Sequence, residues 1–277
     1  KYSEISSITK YIDNTVYDDI DLLSVINSKN YDFSISFYSS FITGYKLWQS
    51  NILKRYAPAT KLAQIFYNKK IKQNRSLSLK SEYEYNNNLA KFFLRDNNYK
   101  ISSIDNAYIS LSERSISNKK KMLIFVHPFT GGSSKTLSGD DFIQLCFELN
   151  RHVNCKFILH CATADYNKCQ KLLENTEGLD ISTINPTNNL VEMYKNINSC
   201  DLFIAGSTGP LHVAASLNKK TVGFFPTKQS STLVRWDTIN DSNNKLNYSD
   251  TGNDKKFIKV DLKKIANEIS RDLLNQL

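Results

Sequence analysis

Cys200-Asp201-Leu202-Phe203-Ile204-Ala205-Gly206-Ser207-Thr208-Gly209-Pro210-Leu211-His212-Val213-Ala214-Ala215-Ser216-Leu217 decides how the second half of this 277-residue chain folds. Leu202–Ala205 is a short, wholly apolar run, the pattern of a strand covered on both faces. Pro210–Leu217 is an apolar-rich helix, and proline in a first helical turn sacrifices no hydrogen bond. Between them, two glycines let a ligand approach the backbone. The free amides and positive dipole end of the helix then face the carboxyl edge of the sheet, where an open α/β sheet binds its ligands. Thr208 adds a hydroxyl, and His212 falls in the first helical turn beside it. The same residues also read as a helix cap with a buried histidine.

Working outward, the flanking sequence keeps the alternation. Met122–Val126, Lys156–Leu159 and Thr221–Phe225 read as further strands. Asp140–Asn150, Asp165–Leu173, Leu190–Ile197 and Leu262–Leu274 read as helices. Strands alternating with helices at this spacing predict a parallel sheet with right-handed crossovers, a Rossmann-like domain. Asn240–Asn247 is expected as surface loop. In the first half, Asp32–Phe37 reads as a strand. Asp19–Asn27, Phe41–Asn51, Leu62–Tyr67 and Glu82–Leu94 read as helical, and Ser112–Lys121 as a linker. The expected division is 1–115, an acceptor-side domain truncated at its start; 116–260, a nucleotide-sugar domain; and 261–277, a helix returning to the first.

Composition narrows the function. Hydrophobic residues at 40% support a buried core, and the longest apolar run is far short of the roughly 20 residues that span a bilayer. No secretory signal opens the chain, and five cysteines without a C-x-x-C pair fit reduced thiols in the cytoplasm. Thirty-six basic residues against 27 acidic ones call for an anionic partner. Lys54, Arg55, Lys61, Lys69, Lys70, Lys72, Arg75 and Lys80, interleaved with Tyr56, Phe66 and Tyr67, suit a polyanion or an acidic sugar. No nucleic-acid-binding motif accompanies them, so nucleic acid is not expected.

A second loop, His127-Pro128-Phe129-Thr130-Gly131-Gly132-Ser133-Ser134-Lys135, follows a strand and precedes a helix, so it opens on the same sheet edge. Ser134 stands where a Walker loop needs glycine, which excludes that NTPase pattern. The loop either delivers Lys135 to a diphosphate or leaves it in solvent. His152, Cys155, His160, Cys161 and Cys169 match no zinc spacing and read as core. No Asp-x-Asp triplet follows a strand, so no metal ion and no other cofactor is expected.

Together, Cys200–Ala215 and Val222-Gly223-Phe224-Phe225-Pro226-Thr227 resemble the donor-site signature of family 9 glycosyltransferases, the ADP-heptose:lipopolysaccharide heptosyltransferases and their relatives. His127–Lys135 resembles the family's first donor-domain loop, and Leu62–Lys70 and Tyr31-Asp32 resemble segments of its first domain. The resemblance implies a GT-B fold of two Rossmann-like domains facing a cleft. It implies an inverting, metal-independent transfer from an ADP-sugar to an anionic lipopolysaccharide-core acceptor at the inner face of the inner membrane. Thr130, Lys135, Gly206, Ser207, Thr208, Gly209 and His212 are the implied donor site, and Lys54, Arg55, Lys69 and Lys70 the expected acceptor contacts. Ser207 stands where the family more often has Asp, and Thr136-Leu137 replaces its usual Trp-Pro. Nothing before Tyr31 matches the family's opening strand and Gly-Asp loop, so the catalytic base is expected before Lys1. The alternative is a sugar-nucleotide-binding module without a base.

Overall fold

Five parallel pairings join the strands of the second half. In a computed structural model, which describes residues 4, 8–9, 11–16, 21–101, 108–111, 121–132 and 134–275, the chain forms two compact units. One is Lys10–Asp105; the other is Asn106–Leu277 together with Tyr2–Thr9. All of the expected linker at 112–121 except its last residue, and the first two residues of the expected helix at 19–27, lie outside the described residues.

The first unit contains α1 (Leu22–Lys29), β1 (Phe33–Ile35), α2 (Phe41–Gln49), β2 (Lys54–Pro58), a 3₁₀ turn at Leu62–Phe66, β3 (Lys69–Ile71) and α3 (Glu82–Asp96). Its three strands are parallel in the order β1-β2-β3. Ile26, Leu47, Ile52, Ala57, Phe66 and Tyr67 pack between sheet and helices. α3 is fixed at its start by a capping box, Ser81 with Glu84, which satisfies two amides a helix end leaves open. β2 and β3 were not expected. Lys-Arg and Lys-Lys open them, and the charge hides a strand pairing that tertiary contacts enforce.

The second unit contains β4 (Met122–His127), α4 (Gly139–Asn150), β5 (Cys155–Leu159), α5 (Tyr166–Leu173), β6 (Ile181–Thr183), α6 (Leu190–Asn198), β7 (Leu202–Gly206), α7 (Gly209–Ser216), β8 (Lys220–Phe225), α8 (Leu233–Trp236), β9 (Lys245–Ser249) and α9 (Leu262–Leu274). All six strands are parallel in the order β6-β5-β4-β7-β8-β9. Every residue of β7 and β8 is buried, which is why β7 reads as an unbroken apolar run and β8 as one after Thr221. The order reverses between β4 and β7, where Ile124 pairs with Leu202 and His127 with Ala205. That is the topological switch point of a doubly wound sheet.

Two expectations are corrected in this unit. Lys245–Asn247, expected within a surface loop, belongs to edge strand β9, and Asn240 is buried with its amide on Lys219 O, Thr221 Oγ1 and Asn244 O. The final helix, expected to return to the first domain, groups with the second unit. Leu262, Ile265, Ala266, Ile269 and Leu273 of α9 enter the second unit's core, and α9 packs on α4. An apolar stripe repeating every three to four residues must be buried, and α4 offers the complementary face. No described helix is long and apolar enough to cross a membrane.

Candidate functional site

The loops that follow β4 and β7 meet over the switch point. Gly206, the last residue of β7, makes the meeting possible. A Cβ there would stand 2.8 Å from Thr136 Cβ, closer still to Thr136 Oγ1, and 3.4 Å from Thr130 Cγ2. The β4 loop therefore rests directly on the β7 backbone. Thr136 is held from the other side, where Phe257 bridges it and the Ile258 amide donates to its carbonyl at 2.8 Å. Gly131 and Gly132 adopt φ of 58° and 80°, a region open to glycine without strain, with empty space where a Cβ would point. Thr130 Oγ1 donates to Ser134 O at 2.8 Å and closes that turn.

Across the crevice, the Ser207 amide donates to Phe224 O at 3.0 Å and remains part of the sheet. Thr208 is the N-cap of α7, in extended conformation. Its hydroxyl caps nothing. Thr208 Oγ1 is buried and without a hydrogen-bond partner among the described residues, and so is Thr136 Oγ1. A buried hydroxyl without a partner costs on the order of 1–3 kcal/mol, so it is kept where something else uses it. The amides of Gly209 and Leu211 fall in the first turn of α7, where a helix supplies no acceptors of its own.

His212, one turn along α7, lies with its ring centroid 6.0 Å from that of Trp236. Burial holds its pKa below the usual histidine value, and Asp237 only partly opposes this, so the ring is neutral near pH 7. Asp237 is in turn fixed by Lys245 Nζ at 2.8 Å and Asn247 Nδ2 at 3.2 Å.

Lys135 reaches the same sheet edge but is not a bare cation. It forms an ion pair with Asp250, just past the end of β9. The Asp250 side chain is 2% exposed and also accepts from the amides of Lys259 at 2.9 Å and Gly252 at 3.0 Å. Burial alone would raise the Asp250 pKa, but Lys135 and the two amides outweigh it and hold the carboxyl below its usual range. Asp250, Thr136 and Trp236 were missed by sequence reasoning. Asp250 could be found only from β9, whose Asn/Ser-rich approach reads as a turn.

The expected acceptor contacts are strand residues of the first unit. Lys54, Arg55 and Lys69 open β2 and β3, at the amino edge of a parallel sheet, opposite the ligand edge. Lys69 Nζ pairs with Asp96 at 2.9 Å, while Lys54 Nζ donates to Asn97 Oδ1 at 2.7 Å. Arg55 is a backbone clip, donating to Phe66 O at 2.9 Å and Ile52 O at 2.6 Å. Among these four, Lys70 alone is exposed with no ion pair among the described residues.

All five cysteines are buried and outside any disulfide, and burial pushes the thiol of Cys155 up to about 12. His127 and His160 pair behind the β4 loop, with Nδ1 atoms 3.0 Å apart and His127 Nδ1 2.7 Å from His160 O. Among the described residues, no three His, Cys, Asp or Glu side chains are placed to hold a metal ion.

The family model for glycosyltransferase family 9 (heptosyltransferase) matches residues 24–266. The chain belongs to glycosyltransferase family 9. A Haemophilus influenzae protein named "Putative glycosyltransferase" is 31% identical over 288 residues, covering 97% of this chain and 83% of the relative. Escherichia coli ADP-heptose lps heptosyltransferase II superposes with a TM-score of 0.77 at 15% identity, covering 99% of this chain and 87% of that one. The E. coli heptosyltransferase WaaC, solved with ADP, gives 0.64 at 12% identity, covering 92% and 76%. This family 9 glycosyltransferase shares their GT-B fold. Its switch-point crevice lies wholly within the second unit.

Proposed function

We propose that this glycosyltransferase moves heptose, or a related sugar, from an ADP-sugar to a lipopolysaccharide-core acceptor, with inversion and without a metal ion. The observation that carries the reading is Thr208 Oγ1 at the N-cap of α7, buried and without a partner among the described residues, in the crevice that Gly206 opens. Thr208, with the Gly209 and Leu211 amides, holds the diphosphate at the positive end of the helix. Lys135 neutralises the leaving group in place of a metal ion, and Asp250 keeps its ammonium at the crevice rim. Ser207 reads donor hydroxyls, Thr130 holds the opposing loop, and His212 serves as a neutral hydrogen-bonding group.

Two names support the donor. WaaC was solved with ADP and with ADP-2-deoxy-2-fluoro heptose. The name of heptosyltransferase II supports the acceptor class, and a lipid-linked acceptor fits a reaction at the inner face of the inner membrane.

The test is a thermal-shift screen of ADP, ADP-heptose, ADP-glucose and UDP-glucose, followed by transfer to core acceptors in EDTA. Stabilisation by ADP-heptose of about 2.7 kcal/mol at 100 times its dissociation constant, with transfer in EDTA, is expected. Preference for UDP-glucose, or dependence on magnesium, would overturn the reading. Binding without transfer would leave a sugar-nucleotide module.

A further inference from the structure

Between Phe33 and Ser81 the chain has nine Lys and Arg residues and no Asp or Glu, so this segment carries as much net charge as the whole protein, +9. It also holds the first unit's unburied apolar face. Phe41, Ile42, Tyr45 and Trp48 fall at i, i+1, i+4 and i+7 on α2 and form one stripe. Gly44 and Leu47 take the opposite, buried face. A Cβ at Gly44 would lie 3.1 Å from Phe66 Cδ2, so α2 sits tightly on the Leu62–Phe66 turn. Phe66 binds the stripe from beneath, with ring centroids 4.9 Å from Phe41 and 5.6 Å from Tyr45. Leu62 and Ile65 extend the surface from that turn. Exposure runs from 42% at Tyr45 to 79% at Leu62.

Two of these cations, Lys61 and Lys46, lie at this face. Lys61, at the head of the turn, places its ammonium 5.6 Å from the ring centroid of Tyr38, itself 75% exposed. Lys46 flanks the stripe on α2. Lys61, Lys70, Lys72 and Lys80 form no ion pair among the described residues, whereas Lys54, Lys69 and Arg75 are paired with Asp96 and Glu82.

We propose that this face of α2 and the Leu62–Phe66 turn docks on the surface of an anionic phospholipid bilayer. The inference rests on the reading that the enzyme works at a membrane, but not on which sugar it transfers. Three observations choose the occupant. The face joins aromatic rings suited to the headgroup layer with aliphatic side chains that only hydrocarbon rewards. The surrounding lysines complement anionic headgroups. A second copy would bring one acid-free basic surface against another, and like charges across an interface are repelled. Stacked nucleic-acid bases would use the rings but not Ile42, Leu62 and Ile65.

The full chain is floated with vesicles of phosphatidylethanolamine and phosphatidylglycerol at three to one, and with phosphatidylcholine alone. Binding to the anionic vesicles only is expected, with at least a ten-fold loss in 0.5 M salt as headgroup charge is screened. Trp48 fluorescence shifts to the blue on binding, and Trp48→Phe abolishes the shift. Ile42→Ser with Leu62→Ser lowers binding ten-fold or more at unchanged melting temperature. Lys61→Ala, Lys70→Ala and Lys72→Ala each lower it about five-fold. These lysine variants carry the test if the apolar pair fails to fold. Equal binding to neutral vesicles, no binding at low salt, or indifference to both variant sets would overturn the proposal. So would a dimer in sedimentation that the apolar pair dissolves, or single-stranded RNA that displaces the vesicles. Vesicle binding without sugar transfer would sustain the docking face while removing the transferase reading.

Discussion

At Lys135 the charge that should meet a diphosphate is already engaged, and this changes what its removal does. Lys135→Ala strands the Asp250 carboxylate, 2% exposed, without its cation. Breaking a buried pair from one side costs about 3–5 kcal/mol, and the partial exposure of Lys135 brings the expectation to about 2–3 kcal/mol. The variant should therefore lose stability as well as ADP affinity. Asp250→Asn keeps Oδ1 for the Gly252 and Lys259 amides, so adding it to Lys135→Ala should recover part of the melting temperature but none of the affinity. Denaturation and calorimetry on the two variants check this, and full recovery of ADP binding would take Lys135 out of the site. Thr208 gives the opposite pattern. Its hydroxyl has no partner among the described residues, so Thr208→Val should leave stability unchanged or raise it slightly. The same change should weaken ADP-sugar binding by roughly ten-fold or more, the worth of a hydrogen bond to a charged group. A fall in stability with unaltered binding would make Thr208 a cap. Ser207→Asp tests discrimination, with an expected change of about 1–3 kcal/mol among ADP-sugars and less for ADP itself. Equal shifts for all ligands would show that Ser207 does not read the sugar.

Elements differ in how openly the sequence declares them, and the difference is physical. β7 and α7 are legible because a central parallel strand is buried on both faces and its turn needs Gly and Pro. The donor loops could be placed on one sheet edge for the same reason. β2 and β3 are not legible, because Lys54, Arg55, Lys69 and Lys70 obscure three-to-five-residue strands whose pairing is decided by neighbours. Of the basic residues read as a surface patch, Lys54 and Lys69 pair with Asp96. β9 hides behind asparagines whose amides are consumed inside the fold, and with it Asp250. At this scale Gly206→Ala is the decisive variant. Its Cβ would press on Thr136, and overpacking of this kind costs about 1–3 kcal/mol. Donor affinity should fall with it as the β4 loop lifts from β7, which loop-specific crosslinking or crystallography of the variant would detect. Unperturbed binding would mean that the close approach of the two loops does not shape the crevice.

For the molecule as a whole, pH acts through the buried histidines behind the crevice. Burial holds His127 near 4, partly opposed by the His160 carbonyl, and burial and then the neighbouring His127 hold His160 near 3. Both values lie below the unfolded value of about 6.5. Below that pH the unfolded chain binds more protons, so stability is present in full above it and is lost as pH falls toward 4 and then 3. Each ring that stays neutral contributes a loss of about 1.4 kcal/mol per pH unit in that window. Melting curves from pH 7 to 4 should show the fall, and His160→Gln should flatten it; a slope unchanged by that variant would clear the pair. The thiols offer a second global readout, because five buried cysteines should resist iodoacetamide in the native protein and react together on unfolding. The order of the larger sheet also governs assembly in time. β4 and β7 pair at Ile124 and Leu202, with α4, β5, α5, β6 and α6 intervening in the chain. Closing so long a loop must precede any reward from the contact, so the two walls of the crevice meet late. A chain still on the ribosome and ending at α6 has the first donor loop and nothing opposite it. Nucleotide cannot template a site whose second half is unmade, and it should therefore slow unfolding without hastening folding.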